Sequence, residues 1–139
     1  MRFITTTVSR IAVTTALLVG ASGLAQAQVN IGALEVSMGQ DFNTLASSGT
    51  SSSTPTGWSF LELLGSANTT YTAGTGSSTT GDTYSFGAAG SGERAFGQLR
   101  SGSVTSILGA QFVNGTTSTI GGFDIAYTGE QWRRGGGTG

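Results

Sequence analysis

Val104-Thr105-Ser106-Ile107-Leu108-Gly109-Ala110-Gln111-Phe112 decides the fold class, because its large side chains recur every second residue. A strand points successive side chains to opposite faces, so Val104, Ser106, Leu108, Ala110 and Phe112 share one face of an extended segment. Asn114-Gly115-Thr116-Thr117-Ser118 follows, a hairpin-length loop that opens with Asn-Gly, where positive φ costs little. Phe123, Ile125 and Tyr127 then alternate again, which predicts a partner strand beyond the loop. The same period runs back toward the N-terminus. Leu34, Val36 and Met38 predict a first strand, Trp58 to Leu64 a second, and Thr69, Tyr71 and Ala73 a third. Ala73 to Gly81 predicts a flexible loop, Tyr84 and Phe86 the next strand, and Ala95, Gly97 and Leu99 another. Seven short strands at such spacing predict an all-β chain: a single β-sandwich, jelly-roll or immunoglobulin-like in outline.

Composition alone would allow a disordered linker, since Gly, Ser and Thr dominate and Pro55 is the only proline. The aromatic residues decide against it. Phe42, Trp58, Phe60, Tyr71, Tyr84, Phe86, Phe96, Phe112, Phe123, Tyr127 and Trp132 recur along the whole stretch, and linkers lack large apolar groups at that regularity. Only Ser47 to Thr54 is of low complexity, which predicts a mobile surface loop.

Residues 1–27 read as a cleavable export signal. Arg2 and Arg10 precede the apolar run Ile11 to Ala21, and Ala25-Gln26-Ala27 supplies the small-x-small cleavage site. An apolar run of about eleven residues is too short for a bilayer, which takes roughly 20. The expectation is therefore a secreted or periplasmic bacterial protein, cleaved after Ala27, with no membrane span in the mature chain. Residues 28–134 would form the β-sandwich and 135–139 a Gly-rich tail. The mature chain carries four arginines against seven carboxylates, a formal charge of −3, and no lysine. Without a basic patch it gains nothing from neutralising phosphates, so no nucleic-acid partner is expected.

Cysteine and histidine are both absent. Disulfides, thiolate or imidazole zinc sites and haem ligation through either residue are thereby excluded. Serine-hydrolase chemistry loses its usual base, because lysine is missing as well. Gly90-Ser91-Gly92-Glu93-Arg94-Ala95 fits a loose G-x-G-x-x-A pattern. A dinucleotide site would require a helix next, whereas Phe96-Gly97-Gln98-Leu99 predicts a strand, so a glycine-rich turn is the better reading.

Further matches in the chain carry a family resemblance. They are Gln40-Asp41-Phe42-Asn43-Thr44-Leu45, Pro55-Thr56-Gly57-Trp58, Tyr71-Thr72-Ala73-Gly74-Thr75-Gly76 and Thr80-Gly81-Asp82-Thr83-Tyr84-Ser85-Phe86-Gly87. Ser91-Gly92-Glu93-Arg94-Ala95 and Tyr127-Thr128-Gly129-Glu130-Gln131-Trp132-Arg133 complete the set. Together they resemble an N-terminal domain of bacterial secreted and surface proteins of the PEP-CTERM-associated kind. The resemblance implies a surface β-sandwich of unassigned molecular function and carries no catalytic residues. Such relatives continue with further strands after the Gly-Glu-Gln-Trp-Arg stretch, so the expectation is a truncated copy, incomplete at its C-terminus.

The leading expectation is a non-catalytic module, not an enzyme, with a structural or adhesive role toward an extracellular glycan or surface protein. A carbohydrate-binding module is the first alternative, with Trp132 as a stacking platform flanked by Glu130 and Gln131; for Trp58, beside Phe60 in a strand, a core position is the better reading. Calcium is the one cofactor left open, with Asp41 and Asp82 as its candidate ligands in turn-like stretches. A glycosidase-like domain is the second alternative, which needs two carboxylates about 5–9 Å apart across a sugar site. The seven carboxylates are scattered singly, so spacing does not show which of them meet.

Overall fold

A computed structural model describes residues 27–134. The expected signal helix falls on residues outside that range, as does the Gly-rich tail 135–139. The described chain is all-β, without helix. Its strands are β1 (Val29–Ile31), β2 (Thr50–Ser51), β3 (Trp58–Leu63), β4 (Tyr71–Gly74), β5 (Asp82–Phe86), β6 (Ala95–Leu99), β7 (Thr105–Ala110) and β8 (Phe112–Asn114). They form a four-stranded sheet of order β2-β4-β5-β6 and two ribbons, β3-β7 and β1-β8. The β3-β7 ribbon packs on the four-stranded sheet, an arrangement consistent with a β-sandwich.

The β3-β7 ribbon shows how local sequence sets a strand. A turn at Pro55-Thr56-Gly57, closed by Trp58 N–H donating to the Pro55 carbonyl at 2.9 Å, launches β3. Gly57 sits at φ 80°, where a side chain would be strained. Leu64 at φ 82° ends the strand. Between these limits β3 runs antiparallel to β7, from Trp58 opposite Ala110 to Leu63 opposite Thr105. Trp58, Phe60 and Glu62 face the four-stranded sheet, and Leu61 and Ile107 lie outward, 57% and 58% exposed.

The register of the larger sheet sorts its side chains. Tyr71, Thr83, Ser85, Phe96 and Gln98 share the face toward β3-β7, while Thr72, Tyr84 and Phe86 share the other. On the inner face Phe96 is the hub of an aromatic cluster, with Phe42, Phe60 and Tyr71 at centroid distances of 5.8, 6.0 and 5.8 Å. Trp58 closes the cluster edge-to-face on Phe42 at 4.7 Å. Pairs of this kind contribute about 0.5–1.5 kcal/mol each beyond area burial. Tyr71 is fully buried, and its hydroxyl both donates to the Ser53 carbonyl and accepts from Ala46 N–H.

Several sequence expectations require correction. Leu34, Val36 and Met38 form no strand; all three are about half exposed or more, and Glu35 at φ 57° breaks the alternation. The first strand is Val29–Ile31 instead. Phe123, Ile125 and Tyr127 also form no strand, and they are 63%, 80% and 89% exposed. Among the described residues no neighbour lends them a ladder: β3 takes one edge of β7 and the Gln98 side chain covers the other at Ser106. The loop after Asn114 is therefore not a hairpin. The long strand expected from Val104 to Phe112 is two strands that change partner at Gln111. Gln111 N–H donates to the Gly57 carbonyl, and Gln111 in turn accepts from Val29 N–H, so β8 leaves β3 and runs parallel to β1. The low-complexity Ser47–Thr54 stretch contains β2, which pairs with β4.

Between Gly74 and Asp82 the chain makes a parallel connection in seven residues, where a dozen or more is usual. It does so by lying flat on the outer face. The Tyr84 hydroxyl donates toward Ser78 Oγ and the Thr80 carbonyl, both at 2.9 Å, and so pins the expected loop over its own ring.

Candidate functional site

Two places bring chemistry-bearing side chains together. The first is on the outer face of the four-stranded sheet. Tyr84 and Phe86 stack at 4.9 Å, and Trp132 lies almost parallel on Phe86 at 6.2 Å and 6°. The rings lie flat because the neighbouring strands carry glycine beneath them. A Cβ at Gly74 would stand 3.0 Å from the Tyr84 ring, and one at Gly97 would stand 3.2 Å from Phe86. Trp132 is half-buried, and its indole N–H donates to Glu130 Oε2 at 2.7 Å. Arg133 Nη1 fastens the same segment to the crossover loop through the Gly76 and Ser77 carbonyls, at 3.4 and 3.1 Å. Gln131 Nε2 reaches the Arg133 carbonyl at 3.4 Å. The three residues singled out in the sequence thus form one exposed edge, an aromatic ring with a carboxylate and an amide beside it.

The second place is interior. Glu62, on β3, is 5% exposed and points across the interface at β5. Its Oε1 accepts from Thr83 N–H at 2.8 Å and from the Thr83 hydroxyl at 2.7 Å, and its Oε2 accepts from Asn68 N–H at 3.0 Å. Ser106 Oγ on β7 joins Thr83 Oγ1 at 2.7 Å. Since the Thr83 proton points to Glu62, Ser106 is the donor of that pair. Asp82 adds a second carboxyl, taking the Thr72 hydroxyl at 2.6 Å and Thr83 N–H at 3.0 Å.

The acidities of Glu62 and Asp82 move apart. Burial pushes Glu62 upward, but the bonds from Thr83 and Asn68 outweigh it and hold Glu62 below the ordinary glutamate range. Burial raises Asp82; the Thr72 hydroxyl works against this, and the neighbouring Glu62 charge raises it further.

No protein-family model, no curated protein and no solved structure matches the chain.

Asp41 lies in the exposed first loop. Its Oδ1 accepts Asn43 N–H and its Oδ2 accepts Asn43 Nδ2, both at 3.0 Å, so it caps its own turn. Asp82 spends both oxygens on Thr72 and Thr83. Among the described residues no three metal-ligating groups converge. Gly90 to Ala95 turns directly into β6 with Gly90 at φ 75°, so no helix stands where a dinucleotide phosphate would need one. No helix of the described residues is long and apolar enough to cross a membrane. An open groove of about 600 Å³ runs between the Thr116–Ile120 loop and Ile31, Phe112 and Phe123.

Sequence reasoning missed the Glu62–Asp82 pair because twenty residues separate its members. The available signal was a lone glutamate on the apolar face of Trp58-Ser59-Phe60-Leu61-Glu62-Leu63. A carboxylate on a core-facing position has to find donors inside the fold.

Proposed function

We propose that the mature chain is an exported, non-catalytic β-sandwich, jelly-roll or immunoglobulin-like in outline, with a structural or adhesive role at the bacterial cell surface. It would stand among the PEP-CTERM-associated N-terminal domains that its sequence resembles. The observation supporting this reading is the use made of its interior carboxylates. Glu62 and Asp82 accept from Thr83, Asn68 and Thr72 and knit β3, β4 and β5 together, which is work for a structural clasp. Hydrolysis assays of the secreted chain on a panel of aryl glycosides test it. The expected result is no turnover, and turnover that disappears in Glu62→Gln would overturn the reading.

A carbohydrate-binding role is the second reading, supported by the half-buried Trp132 with Glu130 on its indole nitrogen. Glycan-array binding lost in Trp132→Ala and retained in Trp132→Phe, which keeps a ring on Phe86, would favour it. In that reading Asp41 is the aspartate with its carboxylate at the surface. A calcium titration followed by thermal melting tests whether it holds the cation, and an unchanged melting temperature removes calcium from the account.

A further inference from the structure

Arg94 is a largely buried cation that no carboxylate meets among the described residues. Only 4% of the residue is exposed. Its guanidinium donates from Nε to Ser85 Oγ at 2.8 Å and from Nη2 to the Ser85 carbonyl, both neutral acceptors. Among the described residues Nη1 has no hydrogen-bond partner, and it is the guanidinium nitrogen that still reaches solvent, since no buried side-chain nitrogen or oxygen is left unsatisfied. It lies against Gly87, where a Cβ would overlap it, so the absence of a side chain at 87 is what admits the guanidinium. Burying a charge is costly unless it is paired, and one neutral residue is a thin complement for a guanidinium with five N–H groups.

Gly87 and Arg94 also line a small recess of about 60 Å³ at the surface. Its remaining walls are the small residues Ala73, Gly74, Ala88 and Ala89, with Ser47 and Thr75. The order of the parts is set by the fold: β4 and the end of β5 form the walls, and Arg94 enters just before β6. Asn43 Oδ1 holds Arg94 N–H at 2.9 Å and so fixes where the side chain begins.

We propose that this recess is a binding site for a small organic carboxylate, with Arg94 Nη1 as its charged donor. Size and charge select the ligand. A volume of about 60 Å³ is two waters' share of liquid or one carboxylate with its adjoining carbon. One guanidinium balances one negative charge, so a phosphate dianion would leave a charge unpaired in a recess walled by alanine and glycine. With Nε and Nη2 engaged by Ser85, the carboxylate is met end-on by Nη1 and not by the two-nitrogen fork.

The test is an NMR titration of the isotope-labelled secreted chain with sodium acetate at constant ionic strength. Saturable shifts are expected at the amides of Gly74, Thr75, Ala88 and Ala89 and at Arg94 Nε–H, with sodium chloride producing none. Ala89→Leu narrows the mouth from an exposed position without touching the Ser85 contacts, and is expected to weaken acetate binding at least tenfold. Ser47→Leu, from a different loop, serves the same end should the first variant fail to fold. No saturable shift, the same shifts from chloride, or unchanged affinity in a folded plugged variant would each overturn the assignment.

Discussion

At the scale of single residues, Thr83 and Glu62 carry the most consequence for their size. Thr83 is fully buried, and every polar atom of its side chain and its N–H is spent on Glu62, Asp82 or Ser106. Glu62→Gln keeps the shape but replaces one acceptor oxygen by a donor, which then confronts either Asn68 N–H or the Thr83 donors. An unmatched buried donor costs about 1–3 kcal/mol, so urea unfolding should show a loss of that order with an unchanged m-value. The same pair gives a pH signature. Glu62, lowered in the folded state, stabilises the fold above the ordinary glutamate range, and that contribution is lost as pH falls through its folded value. Asp82, raised, stabilises the fold while protonated, and its contribution is lost as pH rises above the ordinary aspartate range through its folded value. Asp82→Asn mimics the protonated form at every pH. Its stability relative to the parent should therefore improve from pH 4 to pH 7, measured by denaturant titration at both; a constant difference would contradict the raised Asp82 carboxyl.

At the scale of elements, the two sheets are joined by a side chain that imitates a strand. Gln98 on β6 donates from Nε2 to the Ser106 carbonyl at 3.0 Å and accepts Ser106 N–H on Oε1 at 2.7 Å, covering the edge of β7 that β3 leaves open. An uncovered edge is a pairing liability, and one amide blunts it here. Gln98→Ala removes both bonds, so hydrogen exchange at the Ser106 amide should accelerate well beyond that of its neighbours in β7. Global stability should fall by about 1–3 kcal/mol. Gln98 also marks how far the sequence could be read. Period-two alternation at Trp58–Leu63, Tyr71–Ala73, Tyr84–Phe86 and Ala95–Leu99 gave β3, β4, β5 and β6, because each carries ring or aliphatic side chains on one face. It failed at Leu34–Met38 and Phe123–Tyr127, where the same pattern meets no partner strand. Alternation reports that a segment suits a pleated surface, and pairing depends on an edge being free. The break at Gln111 was hidden for the same reason: it is set by Gly57 and Val29, far off in sequence. At the candidate site the grouping of Glu130, Gln131 and Trp132 was legible, since those residues are contiguous. Arg94 and Ser85 were not, since nine residues and a turn separate them.

At the scale of the whole molecule, the chain fastens its two ends to opposite parts of the fold. β1 begins at Val29, two residues past the expected cleavage at Ala27, and runs parallel to β8. The C-terminal stretch has no ladder. Trp132 on Phe86 and Arg133 on the crossover loop hold it, while Ile125 and Tyr127 upstream lie almost wholly in solvent. Phe86 is only 7% exposed, with Trp132 stacked against its ring. Trp132→Ala should therefore act at two levels. Loss of one stacked aromatic pair removes about 0.5–1.5 kcal/mol, a modest change in unfolding free energy. Release of the segment should be far larger in effect on access: trypsin should cut after Arg133 and Arg134 faster in the variant, while β3 and β7 amides keep their protection. Trp132→Phe restores a ring on Phe86 and should recover most of the resistance. If proteolysis of the variant matches the parent, the segment is held by Arg133 alone, and Arg133→Gln should then expose it.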